Sequence, residues 1–197
     1  MGRQSFQADG MIGPNALTQF RSPLEDRGGQ DLFETLLQDA RIASLPDMSG
    51  LIPEGPVARF HKTVRATLPD LAVEISRAAG VGTADYVLKH RIPGLAQTLL
   101  KALPVSVSKH FLANAISKNA WTFAGSGQFE IGGRTPLVFI LNDNPLIAGE
   151  HADHPICHWH VAVFERLFQE LIGPHVRVTE TECGACGADA CRFEFNI

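Results

Sequence analysis

Residues 156–197 read ICHWHVAVFERLFQELIGPHVRVTETECGACGADACRFEFNI. In the first part, Cys157, Val161, Phe164, Phe168 and Leu171 recur at helical spacing. The segment is therefore predicted as a helix with one apolar face, ended by Gly173 and Pro174. HVRVTETE and ACRFEFNI instead alternate polar and apolar residues, the period of a strand with one buried face. The Gly-rich CGACGAD between them is short enough to join the two as an antiparallel hairpin.

Upstream of this helix-and-hairpin unit, TPLVFILND is a short apolar run bounded by turn residues, and AWTFAGSGQFEI is aromatic and β-rich. Both are predicted as strands. Everything earlier is helical in pattern. QDLFETLLQDARIASL carries a stripe at Leu32, Phe33, Leu36, Leu37 and Ala40, and VARFHKTVRATL follows it. PDLAVEISRAAG is predicted to close at Gly80, and TADYVLKHRI to open on Thr83 as N-cap. GLAQTLLKAL and VSVSKHFLANAISKN complete the helical half. Helices, then two strands, a helix and two strands, is the order of an α+β domain with an antiparallel sheet packed on a long helix. One domain over residues 29–197 is expected. Residues 1–28, rich in Gly, Pro and polar residues, are expected to form a mobile arm with at most a short helix near NALTQF.

The 197 residues are 45% apolar and 19% charged with a net charge of -4, which argues against a general nucleic-acid binder. No apolar run is long enough to span a bilayer, and the first residues lack the apolar stretch of a secretory signal. The expectation is a cytoplasmic protein, where clustered cysteines more often bind metal or do redox chemistry than form disulfides.

All the cysteines, Cys157, Cys183, Cys186 and Cys191, lie in the closing stretch. Glu180 shares strand parity with Val176 and Val178, so a carboxylate points toward the apolar side, which is costly unless something pairs with it. Cys157 sits at the start of its helix, where the dipole favours thiolate. Four thiolates, or three thiolates and Glu180, can converge on one cation, and both sets suit zinc. The plainer alternative makes Cys157 and Cys191 small core residues with Cys183 and Cys186 loose on a turn. A redox Cys-x-x-Cys fits less well, because such motifs open a helix in a βαβ unit and this one sits in a hairpin turn.

CHWHVAVFERLFQELIGPHVRVTETECGACGADACRFEF resembles the end of the 4-vinyl reductase domain family. IPGLAQTLLKALP and AISKNAWTFAGSGQFEI further resemble its bacteriochlorophyll-synthesis members. The resemblance spans about residues 80–197. That family is similar to the sensor domains of phenol-responsive activators and, more remotely, to the Bet3-like vesicle-tethering fold. These are α+β ligand-binding domains, often dimeric, with an apolar cavity between helices and sheet. The phenol sensors bind zinc through Cys, Glu, Cys and Cys. Their spacing of 23, 3 and 8 residues recurs here at Cys157, Glu180, Cys183 and Cys191. The resemblance thus implies those four ligands, with Cys186 a neighbour.

A closed four-ligand zinc is structural, so function is expected in a cavity. The resemblance implies a magnesium tetrapyrrole as its ligand: flat, largely apolar and edged by carboxylates. Candidate lining residues are Trp121, Phe123, Phe139, Trp159 and Phe164, with His158 and His160 as possible axial groups and Lys109, Lys118 and Arg134 as carboxylate partners. WTFAGSG offers small residues where a flat ligand can approach the backbone. There is no G-x-G-x-x-G between a strand and a helix, since GSGQFEIGG lies between strands. The favoured expectation is a tetrapyrrole-binding or delivery protein in bacteriochlorophyll synthesis, homodimeric, working with pathway enzymes and peripheral to the photosynthetic membrane. The alternatives are the vinyl reductase itself and a small-molecule-sensing regulatory domain.

Overall fold

The computed structural model describes residues 10–197. The chain begins with β1 (Met11–Ile12), α1 (Asn15–Thr18) and α2 (Arg21–Asp39), followed by β2 (Ile52–Pro53) and α3 (Glu54–Thr67). Next come α4 (Ala72–His90), α5 (Gly94–Ala102) and α6 (Val105–Lys118). The second half is β3 (Gln128–Arg134), β4 (Leu137–Asn142), α7 (His158–Leu171), β5 (Arg177–Glu182) and β6 (Ala190–Asn196). The architecture is α+β, as its element order predicts. β3, β4, β6 and β5 lie in that order in one antiparallel sheet, and β1 pairs with β2 in a separate two-stranded ribbon.

The alternation in the closing hairpin explains the sheet's inner face. Cys191, Phe193 and Phe195 of β6 are buried while Arg192 and Glu194 point out, and Val178 and Glu180 of β5 are buried beside them. Across the sheet Leu137, Phe139 and Leu141 of β4 pair with Phe195, Phe193 and Cys191. α7 lies on this face and is itself covered by α4. A helix packed on two sides must be apolar nearly all round, and α7 buries Trp159 through Phe164 without a break, then Leu167, Phe168 and Leu171.

Two expectations for the helical half need correction. Gly80 does not end a helix and Thr83 does not start one; both lie inside the continuous α4. Gly80 is there because α7 passes so close. A Cβ at that position would sit 2.5 Å from the Trp159 carbonyl oxygen and 2.7 Å from the Ala162 Cβ. The Thr83 hydroxyl donates back to the Ala79 carbonyl at 2.9 Å and receives the Trp159 indole N–H at 3.2 Å. Glu165 joins the layers, accepting from Arg77 of α4 at 2.8 Å and from the Val178 amide of β5 at 2.9 Å.

The second correction concerns the arm expected over residues 1–28. From Gly10 onward this segment is part of the core: Ile12, Ala16, Leu17, Phe20 and Leu24 are buried. Its polar composition hides a sparse apolar face that packs on α3, where His61 bonds the Ala16 carbonyl at 2.8 Å and meets the Phe20 ring edge-on. Residues 1–9 of that arm lie outside the described residues. α2 is kinked at Gly28 and Gly29, which are non-helical, with Gly29 at φ +71°.

Candidate metal centre

Four side chains from three elements meet at the C-terminal edge of the core. Cys157 caps the N-terminus of α7, Glu180 is on the inner face of β5, Cys183 follows β5, and Cys191 opens β6. A register shift between Glu180 and Glu182 carries the chain into the turn holding Cys183. Each contributes one donor atom, and all four atoms lie within 4.8 Å of one another. The Cys157 sulfur is 3.9 Å from that of Cys183 and 3.5 Å from that of Cys191. Tetrahedral coordination with metal–sulfur bonds of about 2.3 Å places sulfurs about 3.8 Å apart, so these separations match a shared cation. They are far too long for a disulfide.

The electrostatics of the site point the same way. Glu180 is 8% exposed. Its Oε2 accepts the Cys157 amide at 2.8 Å, while Oε1 has no hydrogen-bond partner. Burial pushes this carboxyl up to about 8. Contacts with the Cys183 and Cys191 thiols, together with burial, push the Cys157 thiol well above the ordinary range. The helix dipole at Cys157 does not outweigh this crowding. Hydrogen bonds from the Cys157 and Cys191 thiols hold the Cys183 thiol far below the ordinary range, so one thiolate sits among protonated neighbours. That charge, and an orphaned carboxylate oxygen within reach of three sulfurs, form a donor set that a divalent cation could complete. Cys186 lies outside it, exposed on the short turn at Gly184–Cys186.

Asn144, in the loop after β4, is the residue that sequence reasoning missed. It is buried, and its side-chain N–H₂ donates to the Cys157 sulfur at 3.3 Å and reaches the Cys191 sulfur at 3.8 Å. Its carbonyl is held by the Leu146 amide at 3.1 Å. The Gly184 amide also donates to the Cys191 sulfur, at 3.5 Å. Such donors orient thiolates and disperse their charge. An Asn between Asp143 and Pro145 signals only a turn, so nothing in the sequence distinguished it. Arg65 of α3 braces the same loop, donating to the Leu146 carbonyl at 2.9 Å and pairing with Glu150.

The aromatic candidates do not line an open slot. Phe123, Phe139 and Phe164 are buried in edge-to-face contact, with ring centroids 5.3 Å apart for Phe123 and Phe164 and 5.1 Å for Phe139 and Phe164. His160 is buried beside them, bonded to the Phe123 carbonyl at 3.3 Å, and Trp159 is anchored on Thr83. Burial keeps His61 and His160 neutral, at about 3 and about 4. His158 is half-buried, and Trp121, in the short turn before Phe123, is 55% exposed. A cavity of about 10 Å³ bordered by His61, Arg65, Ser76, Trp159 and His160 has room for one water. The small residues of WTFAGSG serve another purpose: Gly125, at φ +60°, and Gly10 leave space for the Glu54 carboxylate, which accepts from the Ser126 amide at 2.7 Å. The strand expected from residue 120 therefore starts only at Gln128.

The family model of the 4-vinyl reductase domain matches residues 137–197, the segment that holds β4, α7, the hairpin and all four donors. The bacteriochlorophyll synthase 23 kDa chain of Cereibacter sphaeroides is 48% identical over 183 residues, covering 93% of this chain and 89% of that protein. The chain belongs to the 4-vinyl reductase domain family. It falls among that family's bacteriochlorophyll-associated members, since the 23 kDa chain of Rhodobacter capsulatus is also 38% identical over 92% of this chain and 85% of its own length. The fold is wider than the family. An unliganded Fe(II) H-NOX protein from K. algicida superposes over 94% of this chain and 96% of its own with a TM-score of 0.60, at 12% identity.

Proposed function

We propose that this chain is a non-catalytic accessory protein of bacteriochlorophyll synthesis that binds or delivers a magnesium tetrapyrrole intermediate. Its C-terminal unit is held by a structural zinc on Cys157, Glu180, Cys183 and Cys191. The observation that carries the reading is the closed donor set. Three thiolates and a carboxylate fill a tetrahedral cation, leaving no position for water or substrate. Zinc there supplies cohesion, while the residues around it orient the ligands: Asn144 and Gly184 through N–H···S bonds, the Cys157 amide through Glu180. The kinship with chains named for bacteriochlorophyll synthase supports the pathway and a partnership with its enzymes. The protein works as a homodimer on the cytoplasmic side.

With the aromatic core filled by its own side chains, the ligand's seat lies nearer the surface. A groove of about 370 Å³ along α2 has apolar walls at Phe33, Leu37, Ile42 and Leu45 and is also lined by Glu34 and by Arg21, whose guanidinium pairs with Glu25 at 2.7 Å. That volume is within the range of ligand sites, and the chemistry suits part of a flat ring with a carboxylate edge.

Titrating zinc-loaded protein with protochlorophyllide and following pigment absorption and fluorescence tests the reading. A saturable shift near one pigment per chain, weakened by Arg21→Glu, is expected. Reduction of the divinyl substrate by this protein with nicotinamide alone would overturn the accessory role in favour of the reductase, and absence of any pigment binding would overturn it altogether.

A further inference from the structure

Among the described residues, nine large apolar side chains are exposed, and six of them, Leu95, Leu99, Val105, Val107, Phe111 and Trp121, fall on α5, α6 and the turn that follows. Scattered exposed leucines are ordinary; this concentration is not. α5 buries no residue at all, and Leu95 and Leu99, one turn apart on its outward side, are 88% and 61% exposed. α6 buries Ser108, Leu112, Ala113 and Ile116 on one face. Val107, Phe111, Asn114 and Lys118 form an exposed stripe on the opposite face at i, i+4, i+7 and i+11, apolar at its start and cationic at its end, with Phe111 60% exposed.

Charge is segregated in the same place. From Tyr86 to Phe129 there is no Asp or Glu, while Lys89, Arg91, Lys101, Lys109 and Lys118 are all present. Of the chain's 17 Lys and Arg, the other 12 are set against all 21 Asp and Glu. An acidic protein thus carries one wholly basic, apolar-tipped segment. β3 packs against α6 and brings Arg134 to the same side.

We propose that the α5–α6 segment docks this protein on the surface of a bilayer containing anionic lipid. Leucines, Phe111 and Trp121 enter the headgroup boundary, and the lysines beside them reach lipid phosphates along their apolar stems. No helix of the described residues is long and apolar enough to cross a membrane, so the contact is interfacial. A second copy fits worse, because two such faces meeting across a two-fold axis would set cation against cation. Docked this way, the acidic remainder faces away from the negative surface. The inference extends the proposed accessory role, but it is tested without pigment, so either can fail alone.

The test is flotation of the zinc-loaded full chain with vesicles of phosphatidylcholine alone or with about one quarter phosphatidylglycerol. Binding is expected only to the anionic vesicles, lost at about 0.5 M salt. A blue shift of Trp121 emission, read in a Trp159→Phe background, accompanies it. Leu99→Asp with Phe111→Asp, and separately Lys101→Glu with Lys109→Glu, are each expected to weaken partitioning about tenfold or more while the circular dichroism stays that of the parent. Equal binding to neutral vesicles, no binding to either, or variants that bind like the parent would overturn the proposal. So would a dimer in solution that Phe111→Asp dissociates, since the face would then belong to a second copy.

Discussion

The C-terminal unit and the α5–α6 segment are built on opposite terms. α7 is enclosed between α4 and the sheet, its start is tied to β5 and β6 through the cysteine and glutamate cluster, and Glu165 bonds both neighbours. α5 has no buried residue and α6 has one buried face. The contrast separates cohesion from contact. Apolar side chains in the first region hold the chain together, whereas those in the second remain available to something outside it.

The largest effect should come from breaking the clamp. Cys191→Ser, or stripping the metal with a chelator, is expected to cost several kcal/mol and to lower the melting temperature by about 10 °C or more. Elemental analysis should show loss of about one metal per chain. Cys186→Ser should leave metal and melting unchanged, and a variant that behaved like Cys191→Ser would reassign the donor set. Next, Gly80→Leu should cost about 1–3 kcal/mol in urea denaturation, because its side chain must displace the Trp159 carbonyl and Ala162. An unchanged midpoint would mean that α4 and α7 are not locked.

Acid sharpens the same contrast. His61 and His160 are held at about 3 and about 4 by burial, below the ordinary histidine value of 6.5. Between those values the unfolded chain binds more protons than the folded one, so stability is intact above about pH 6.5 and falls as pH drops, by up to roughly 1.4 kcal/mol per unit for each histidine. Melting curves from pH 7 to 4.5 should show this, and His61→Gln should flatten the slope. A smaller change is expected for Asn144→Ala: metal affinity lower by about 10- to 100-fold in chelator competition, with a shifted sulfur-to-metal charge-transfer band in the Co²⁺ form. Smallest of all, Phe111→Asp should alter stability by no more than about 0.5 kcal/mol. Hydrogen exchange should find α5 less protected than α7.

How much of this was legible in the sequence follows from how local each signal is. α7 and the closing hairpin carry their burial in their own periodicity, and Glu180 betrayed itself by its parity with Val176 and Val178. The choice of Glu180 over Cys186 rests on family spacing, because local spacing alone favours Cys186 and an all-cysteine site. Gly80 misled because a glycine demanded by a neighbouring helix looks the same as one that ends its own. Leu17, Phe20 and Leu24 were overlooked because α1 and α2 pack on α3 and α4, distant in the chain, as when Phe20 meets Phe60 and His61. Asn144 and Glu54 act through loops, where composition predicts a turn but not what the turn encloses.

The place of β6 in the sheet has a consequence for biosynthesis. It follows every other described element in the chain, yet lies between β4 and β5. While the nascent polypeptide is still emerging from the ribosome, β4 and β5 have no shared neighbour and three of the four clustered donors wait for Cys191. The helical half can collapse during translation, but the sheet closes only once β6 has cleared the exit tunnel, so the newborn protein passes through an interval with its sheet split and its donor cluster open.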